Sequence, residues 1–289
     1  MRILLAGALG EVGRTVSAAL FELGHEVIGV SSRAPLDEQP TAIDLGTGIS
    51  LLGSGRLDGV IHCAGRGDRR DSERSGLELT DALRDAAVAS GLPAVLISTT
   101  RVLEGYDGPL TDDLAPVTST PYAQANARNE ETWLASGAPR LRVLRITNYF
   151  APPSGPDSPQ ALLLPWSLVT EALAQGSIAM RSGPSAVKEF VGASGVAQAA
   201  LVLLADPSEA RICATTPGLP LSLKELAELC SDAVVETGRL RPAMSFGPDT
   251  APGPVSEPGY LAGVGWACDL TPAQMQDAIA AWIRQNYPT

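Results

Sequence analysis

Along the chain, short apolar runs alternate with longer segments. In the longer segments, apolar residues recur every three or four positions. The runs indicate buried strands, and the longer segments indicate amphipathic helices. The predicted strands are 2–6, 25–30, 59–64, 94–98 and 142–146, and the predicted helices are 13–23, 76–90, 122–135 and 196–204. Because strands and helices alternate, we expect an α/β fold with a doubly wound parallel sheet and helices on both faces.

Composition and charge limit the partners that the chain can have. Its 289 residues, of which 45% are hydrophobic, can bury a large core. The net charge of −11 and the lack of a long basic run argue against nucleic acid and anionic membranes. No apolar run is long enough to span a membrane, and the N-terminal segment lacks the features of a signal peptide. The four cysteines are widely separated, which favours free thiols in the cytoplasm over a metal site. The sequence does not distinguish a monomer from a homodimer.

The segment 7-GALGEVG-13 has the spacing G-x-x-G-x-x-G between the first strand and the first helix. Glycines allow a tight turn there and let backbone N–H groups approach a pyrophosphate at the helix N-terminus. The position favours a dinucleotide site in a Rossmann-like fold over glycines that only turn the chain. We expect the Glu11 side chain to point away while its amide binds. The predicted contacts are Gly7, Leu9, Gly10, Glu11, Val12 and Gly13.

The cofactor type is indicated at the end of the second strand, 29-GVSSR-33. A carboxylate there would bind the ribose 2′-hydroxyl of NAD, whereas an arginine accommodates the 2′-phosphate of NADP. No carboxylate occurs before Asp37, and Ser32 and Arg33 offer donors to a phosphate. The segment therefore favours NADP(H), although an arginine on a loop is by default only solvated.

The composition changes after Tyr149, where 151-APPSGPDSPQ-160 is typical of a loop. We interpret this change as the point where the chain leaves the nucleotide fold. Residues 1–150 are predicted to form the dinucleotide-binding core, with 183–204 packing back on it. Residues 151–182 and 205–289 are predicted to form mainly a smaller substrate lobe and the C-terminal helix.

Several segments resemble the extended short-chain dehydrogenase/reductase family, which includes nucleotide-sugar epimerases and dehydratases. In order, they are the glycine loop, 44-DL-45, 61-IHCAG-65, 98-STTRV-102, Tyr122, 145-RITNYFAP-152, 188-KEFVGASGVAQA-199 and 265-GWACDLTPAQMQDAIAAWIRQNY-287. The resemblance covers nearly the whole chain. It implies further cofactor contacts at Asp44, Leu45, Cys63, Ala64 and Gly65, and substrate contacts at Thr100, Asn148 and Tyr149.

The resemblance also implies a catalytic group from which this chain departs. Family members use a serine or threonine, a tyrosine, and a lysine four residues after the tyrosine. Thr99 and Tyr122 match, but Asn126 replaces the lysine. Asn126 can hydrogen-bond the nicotinamide ribose, but it carries no charge that would lower the tyrosine pKa. Tyr122 should then keep a pKa of about 10 and serve as an acid rather than a base.

Carbonyl reduction requires a hydride and one proton, so the sequence favours an NADPH-dependent ketone reductase over an epimerase. The apolar segment 161-ALLLPWSLVTEAL-173, with Trp166, either lines a substrate pocket or belongs to a helix core. Arg181 is the one cation singled out for a diphosphate. An apolar pocket favours a polyketide-like or aromatic ketone, as in the atypical ketoreductases of antibiotic biosynthesis. Two alternatives stay open: a nucleotide-sugar epimerase or reductase, and a non-catalytic NADP(H)-binding sensor.

Overall fold

The computed structural model describes residues 1–31, 42–63, 70–209, 212–249 and 252–288, without the side chains of residues 42, 45 and 70–76. Elements are numbered in chain order. The strands are β1 Arg2–Ala6, β2 Glu26–Val30, β3 Ala42–Ile43, β4 Gly59–His62, β5 Ala94–Thr99, β6 Leu141–Ile146, β7 Asn148–Phe150, β8 Ser177–Met180, β9 Val187–Gly192, β10 Ile212–Thr215, β11 Leu219–Ser222 and β12 Ala243–Phe246. The helices are α1 Glu11–Glu22, α2 Leu45–Leu52, α3 Arg70–Ser90, α4 Pro121–Leu134, α5 Trp166–Gln175, α6 Ala193–Ala205, α7 Leu223–Glu236, α8 Tyr260–Gly263 and α9 Pro272–Asn286.

A seven-stranded parallel sheet forms the centre of the molecule, in the order β3-β2-β1-β4-β5-β6-β10. The chain moves outward from β1 to β3 and then returns to place β4 beside β1. At such a reversal the connections leave in opposite directions, and a crevice opens at the carboxyl ends of the two strands. The predicted doubly wound, Rossmann-like α/β sheet is confirmed.

Strand β1 shows why the sheet needs helices on both faces. After Arg2 its residues are apolar without alternation, and Ile3, Leu4, Leu5 and Ala6 are all fully buried. Successive side chains point to opposite faces. Ile3 and Leu5 pack into a core with α1 and α6, whereas Leu4 and Ala6 pack into a second core with α2, α3 and α4.

A third core lies in the C-terminal part of the chain, among α5, α7 and α9. Trp166 is fully buried there, stacked on Phe150 at a ring-centroid distance of 5.3 Å and edge-on to Trp282 at 5.3 Å. A three-stranded sheet, β11-β9-β7, and a two-stranded sheet, β12-β8, accompany this core. None of the helices in the described ranges has both the length and the apolar character needed to cross a membrane.

Two elements differ most from the sequence predictions. Helix α3 begins at Arg70, six residues before the predicted start, because the polar residues of 70–74 do not oppose helix formation. Ile212–Thr215, in the range assigned mainly to the substrate lobe, instead pairs with β6 and completes the core sheet. That strand is short and has the small Ala214 in it, so its apolar pattern is weak.

Candidate active site

The glycine loop joins β1 to α1 at the crevice. Gly7 has φ +83°, which favours glycine, and its carbonyl accepts the Gly10 N–H at 2.9 Å. A Cβ on Gly13 would lie 2.1 Å from that carbonyl oxygen, so the first turn of α1 packs directly on the loop. The N-cap Gly10 makes no side-chain hydrogen bond to the helix. The first amides of α1 therefore have no capping acceptor, which suits them to hold a pyrophosphate.

Glu11 lies in this first turn, and its carboxylate is already engaged. One oxygen accepts the Ser154 hydroxyl at 2.6 Å, and the other pairs with Arg14 at 3.2 Å. Its side chain is therefore held by the loop that leads into the C-terminal lobe. Leu9 and Val12 are half-buried beside it.

The adenosine end of the crevice is described in part. Ser31 N–H donates to the Ile43 carbonyl at 3.2 Å, whereas Ser32 and Arg33 lie outside the described residues. Asp44 caps α2, with its carboxylate accepting the Thr47 N–H at 3.0 Å and the Thr47 hydroxyl at 2.5 Å. These hydrogen bonds lower the Asp44 pKa. Leu45 begins α2, but its side chain is not among those described.

Cys63 lies where β1 and β4 end together. Its N–H donates to the Ala6 carbonyl at 2.9 Å, which places it at the floor of the crevice. Burial raises the pKa of its thiol to about 12, so the thiol stays protonated at neutral pH and is no nucleophile. Ala64 and Gly65, the next two predicted contacts, lie outside the described residues.

Thr99 and Tyr122 are brought together from the end of β5 and the first turn of α4. The Thr99 side chain lowers the pKa of the Tyr122 phenol, so the two groups are near each other. The Thr99 hydroxyl oxygen accepts the Arg101 N–H at 3.2 Å, which leaves its own proton to donate. Thr99 is 9% exposed and Tyr122 is 45% exposed, so the phenol is open to solvent.

The electrostatics of Tyr122 favour the protonated phenol. Partial burial raises its pKa above the ordinary 10.0, and this outweighs the opposing hydrogen bond from Thr99, the positive charge of Arg101 and the contribution of Asn126. The sequence predicted a pKa near the ordinary value, and the structure places it higher. The phenol is therefore a proton donor and not a base at neutral pH.

Asn126 lies one turn after Tyr122 on α4. Its side-chain N–H donates to the Tyr122 main-chain carbonyl at 2.9 Å, so part of its hydrogen-bonding capacity is used within its own helix. The other amide N–H and the amide oxygen remain for a ribose hydroxyl.

Arg101 and Glu104 belong to this site and were missed from the sequence. They lie on the short 3₁₀ helix Thr100–Leu103 and at its end, and their side chains pair at 2.8 Å. A charged pair three residues apart is common on solvated surfaces, so its spacing gave no signal. The chain fold places it beside the start of α4.

Lys188, on β9, was also missed. Burial and the nearby charge of Arg101 lower the pKa of its ammonium group, although part of the side chain stays exposed. The charges of Arg101 and Lys188 therefore interact. Arg181, which the sequence favoured, is exposed just after β8.

The four predicted substrate contacts lie in different surroundings. Thr100 follows Thr99 directly and is half-buried, and Asn148 is exposed with its side-chain N–H on the Glu189 carbonyl at 2.7 Å. Tyr149 hydrogen-bonds the Thr15 hydroxyl on α1, and burial raises its pKa. The prediction for Trp166 is wrong, because that ring is enclosed in the lobe core and cannot face a substrate.

Comparison with known proteins places this geometry in context. Residues 3–212 match the model of the NAD dependent epimerase/dehydratase family. The dTDP-6-deoxy-L-talose 4-dehydrogenase (NAD(P)(+)) of Kitasatospora kifunensis is 28% identical over 79% of this chain and 77% of its own length.

Solved structures agree over nearly the whole length. dTDP-glucose 4,6-dehydratase from Bacillus anthracis, in complex with NAD, has a TM-score of 0.76 at 14% identity, covering 99% of this chain and 97% of that one. DesIV, the dTDP-glucose 4,6-dehydratase from Streptomyces venezuelae, solved with NAD bound, has a TM-score of 0.71 at 20% identity, covering 99% and 98%. These structures share the fold. The chain belongs to the NAD dependent epimerase/dehydratase family.

Proposed function

We propose that the chain is an NADPH-dependent reductase that converts a ketone of a nucleotide-linked deoxy sugar to an alcohol, with Tyr122 as the proton donor. The observation that carries the proposal is the Tyr122 phenol. The phenol is accessible and near the Thr99 side chain, its pKa is raised by burial, and Asn126 stands where a lysine would lower that pKa.

Tyr122 and Thr99 would act together on the substrate carbonyl. The reduced nicotinamide supplies the hydride when it is bound. The two hydroxyl groups hold the carbonyl oxygen by hydrogen bonds, and Tyr122 transfers its proton to that oxygen as negative charge develops. Asn126 contributes to orientation through its remaining hydrogen-bonding groups. Alcohol oxidation would need the phenolate, which the raised pKa makes scarce.

The substrate class rests on charge beside this phenol. Arg101 and Lys188 are two cations whose charges interact, on an otherwise acidic protein. Two cations at one mouth suit an anionic substrate such as a nucleoside diphosphate. The relative from Kitasatospora kifunensis, named for oxidation at C4 of a dTDP-linked deoxy sugar, supports the same class.

The preference for NADPH rests on the sequence at Ser32 and Arg33. The relative is named for NAD(P)(+), and the solved neighbours above hold NAD, so either cofactor is compatible with the family. We expect Arg33→Ala to reduce the NADPH/NADH ratio of kcat/KM about tenfold or more, because it removes a bidentate phosphate contact. If Arg33→Ala left the NADPH/NADH ratio of kcat/KM unchanged, Arg33 could not be the contact to the 2′-phosphate.

A second candidate is an apolar ketone of the polyketide or aromatic type. Leu162 and Leu163, at the start of the lobe, are 78% and 56% exposed, which offers an apolar surface that nothing else in the described chain covers. This candidate needs no cation at the site.

The deciding experiment follows NADPH oxidation with two substrate panels, one of dTDP-linked 4-keto-6-deoxy sugars and one of aromatic ketones. Lys188→Gln serves as the discriminating variant, and Arg284→Gln as the control for loss of a distant surface charge. We expect the enzyme to turn over the sugar panel, and the KM for these sugars to rise in Lys188→Gln but not in Arg284→Gln. Turnover of aromatic ketones, at a rate that Lys188→Gln does not change, would favour the second candidate. Cofactor binding with no turnover in either panel would favour a sensor.

A further inference from the structure

Glu104 joins the turn after β5 to the start of α4. One carboxylate oxygen accepts the Ser119 N–H at 2.7 Å, the Ser119 hydroxyl at 2.9 Å and the Thr120 N–H at 2.7 Å. The other accepts the Thr120 hydroxyl at 3.3 Å and pairs with Arg101 at 2.8 Å. Its side chain is 11% exposed. Although burial opposes ionisation, the hydrogen bonds from Ser119 and Thr120 lower the Glu104 pKa to about 2.

These contacts fix where Arg101 can lie. Thr120 is the N-cap of α4, and Tyr122 follows it in the first turn. Thr99 caps the 3₁₀ helix by accepting the Arg101 N–H at 3.2 Å. Arg101 is thus tied to the start of α4 through Glu104 and to Thr99 through its own backbone. Its guanidinium, with the side chain 52% exposed, is held beside the start of α4, the helix that carries Tyr122, instead of ranging through solvent.

We propose that Arg101 is a positioning residue that supplies, from the turn after β5, the positive charge that Asn126 does not supply, and so stabilises the phenolate left when Tyr122 gives up its proton. The catalytic value of this charge rests on the reductase function proposed above. Its action on the phenol does not, because it is present without cofactor or substrate.

Charged groups on the elements next to α4 have other partners in the described part of the chain. On β6, Arg145 pairs with Glu130, and on α3, Arg84 reaches the Thr132 carbonyl at the far end of α4. In the segment before α4, Asp112 accepts the N–H groups of Thr215 and Tyr260. On β9, burial and the charge of Arg101 lower the Lys188 pKa. Burial raises the Tyr122 pKa, and the positive charge of Arg101 opposes that rise.

The test is a titration of the phenol itself. Tyr122 is replaced by 3,5-difluorotyrosine, whose phenol ionises in an accessible pH range and gives a single ¹⁹F signal. The pH midpoint of the phenol's ionisation is measured from the ¹⁹F signal in the absence of ligand. It is compared between the protein with Arg101 intact, Arg101→Gln and Arg101→Lys. Arg284→Gln is the matched control, because Arg284 is 53% exposed and pairs with Glu236 at 2.8 Å.

We expect the midpoint to rise in Arg101→Gln, to return towards its original value in Arg101→Lys, and to stay unchanged in Arg284→Gln. Added salt should raise the midpoint of the protein with Arg101 intact, because a half-exposed charge is screened, and should do so much less in Arg101→Gln. An equal shift in Arg284→Gln, or none in Arg101→Gln, would overturn the proposal. If Arg101→Gln does not fold, the salt dependence decides, and a midpoint that ignores salt overturns it.

Turnover provides a second, separate measurement on the unfluorinated enzyme. Single-turnover reduction should slow on the order of threefold to tenfold in Arg101→Gln and recover in Arg101→Lys. A shifted midpoint without any reduction activity would leave the charge effect standing and remove the proposed function. Normal reduction in Arg101→Gln, with an unshifted midpoint, would remove the role of Arg101 alone.

Discussion

The two later glycines of the loop should fail in different ways when each is replaced by alanine. A Cβ on Gly13 would lie 2.1 Å from the Gly7 carbonyl oxygen and 2.8 Å from its carbon, both backbone atoms that cannot rotate away. A Cβ on Gly10 would have one close neighbour, the same oxygen at 3.2 Å, and Gly10 has φ −79° and ψ 161°, which alanine readily adopts. Gly13 is therefore required by packing, and Gly10 by the space that a pyrophosphate would fill.

The magnitudes follow from these contacts. To restore an ordinary contact, Gly13→Ala must move α1 away from the loop by more than an ångström, and overpacking of this kind costs about 1–3 kcal/mol. That cost corresponds to a fall in Tm of roughly 2–12 °C for a domain of this size. Gly10→Ala should change the free energy of unfolding by less than about 1 kcal/mol. Its Cβ should nevertheless weaken cofactor binding about tenfold or more, since it displaces the phosphate from the amides.

Thermal unfolding of the ligand-free variants and titration with NADPH, followed by fluorescence, separate the two effects. The ligand-free Gly13→Ala protein should have a lowered Tm. The ligand-free Gly10→Ala protein should have a normal Tm, but added NADPH should raise that Tm less than it raises the Tm of the unchanged protein. A Gly13→Ala protein with an unchanged Tm would mean that the loop does not pack as described. Normal NADPH affinity in Gly10→Ala would refute the placement of the pyrophosphate.

Three further predictions concern the phenol and the core beneath it. Tyr122→Phe should slow single-turnover reduction by at most about 10²–10⁴-fold and leave cofactor affinity nearly unchanged; complete loss would make the phenol indispensable. Asn126→Lys should speed alcohol oxidation at pH 7 by lowering the phenol pKa, and an oxidation rate that still rises only at alkaline pH would contradict this. Burial lowers the pKa of His62 from 6.5 to about 4. Between those two pH values the imidazole is protonated in the unfolded state and neutral in the folded state, so the free energy of unfolding falls as the pH drops from 6.5 to about 4. Urea unfolding should show a loss on the order of 3 kcal/mol across that window, absent in His62→Gln.

The sequence predicted those features whose cause is local. The glycine loop was found because spacing, strand and helix start all fall within a few residues, and β1 because residues 3–6 are all apolar. Trp166 was ambiguous, since an apolar helical stripe has the same pattern whether it lines a pocket or packs in a core. Only the fold, which stacks Phe150 and Trp282 on it, decides between them.

The missed residues depend on contacts between distant segments. Arg101 and Lys188 are 87 positions apart, and neither differs in its neighbourhood from a solvated surface cation. Glu104 is an ordinary acidic residue in the sequence, but the N–H groups of Ser119 and Thr120 donate to its carboxylate and hold the side chain in place. A motif based on one helix, such as a tyrosine and the residue four places later, shows that the lysine is missing. It cannot show a charge that another segment of the chain supplies.

The origin of that charge also bears on the direction of the reaction. A lysine at position 126 would lie beside the phenol on the same helix, and the full positive charge of its ammonium group could act on the phenol. Arg101 shares its charge with Glu104, whose carboxylate is ionised over almost the whole pH range, so only part of the field reaches Tyr122. Such a cation can ease the formation of phenolate during proton transfer without lowering the resting pKa below its ordinary value. This balance favours an enzyme that donates a proton and then recovers it from solvent. It opposes one that must begin by removing a proton, as alcohol oxidation does.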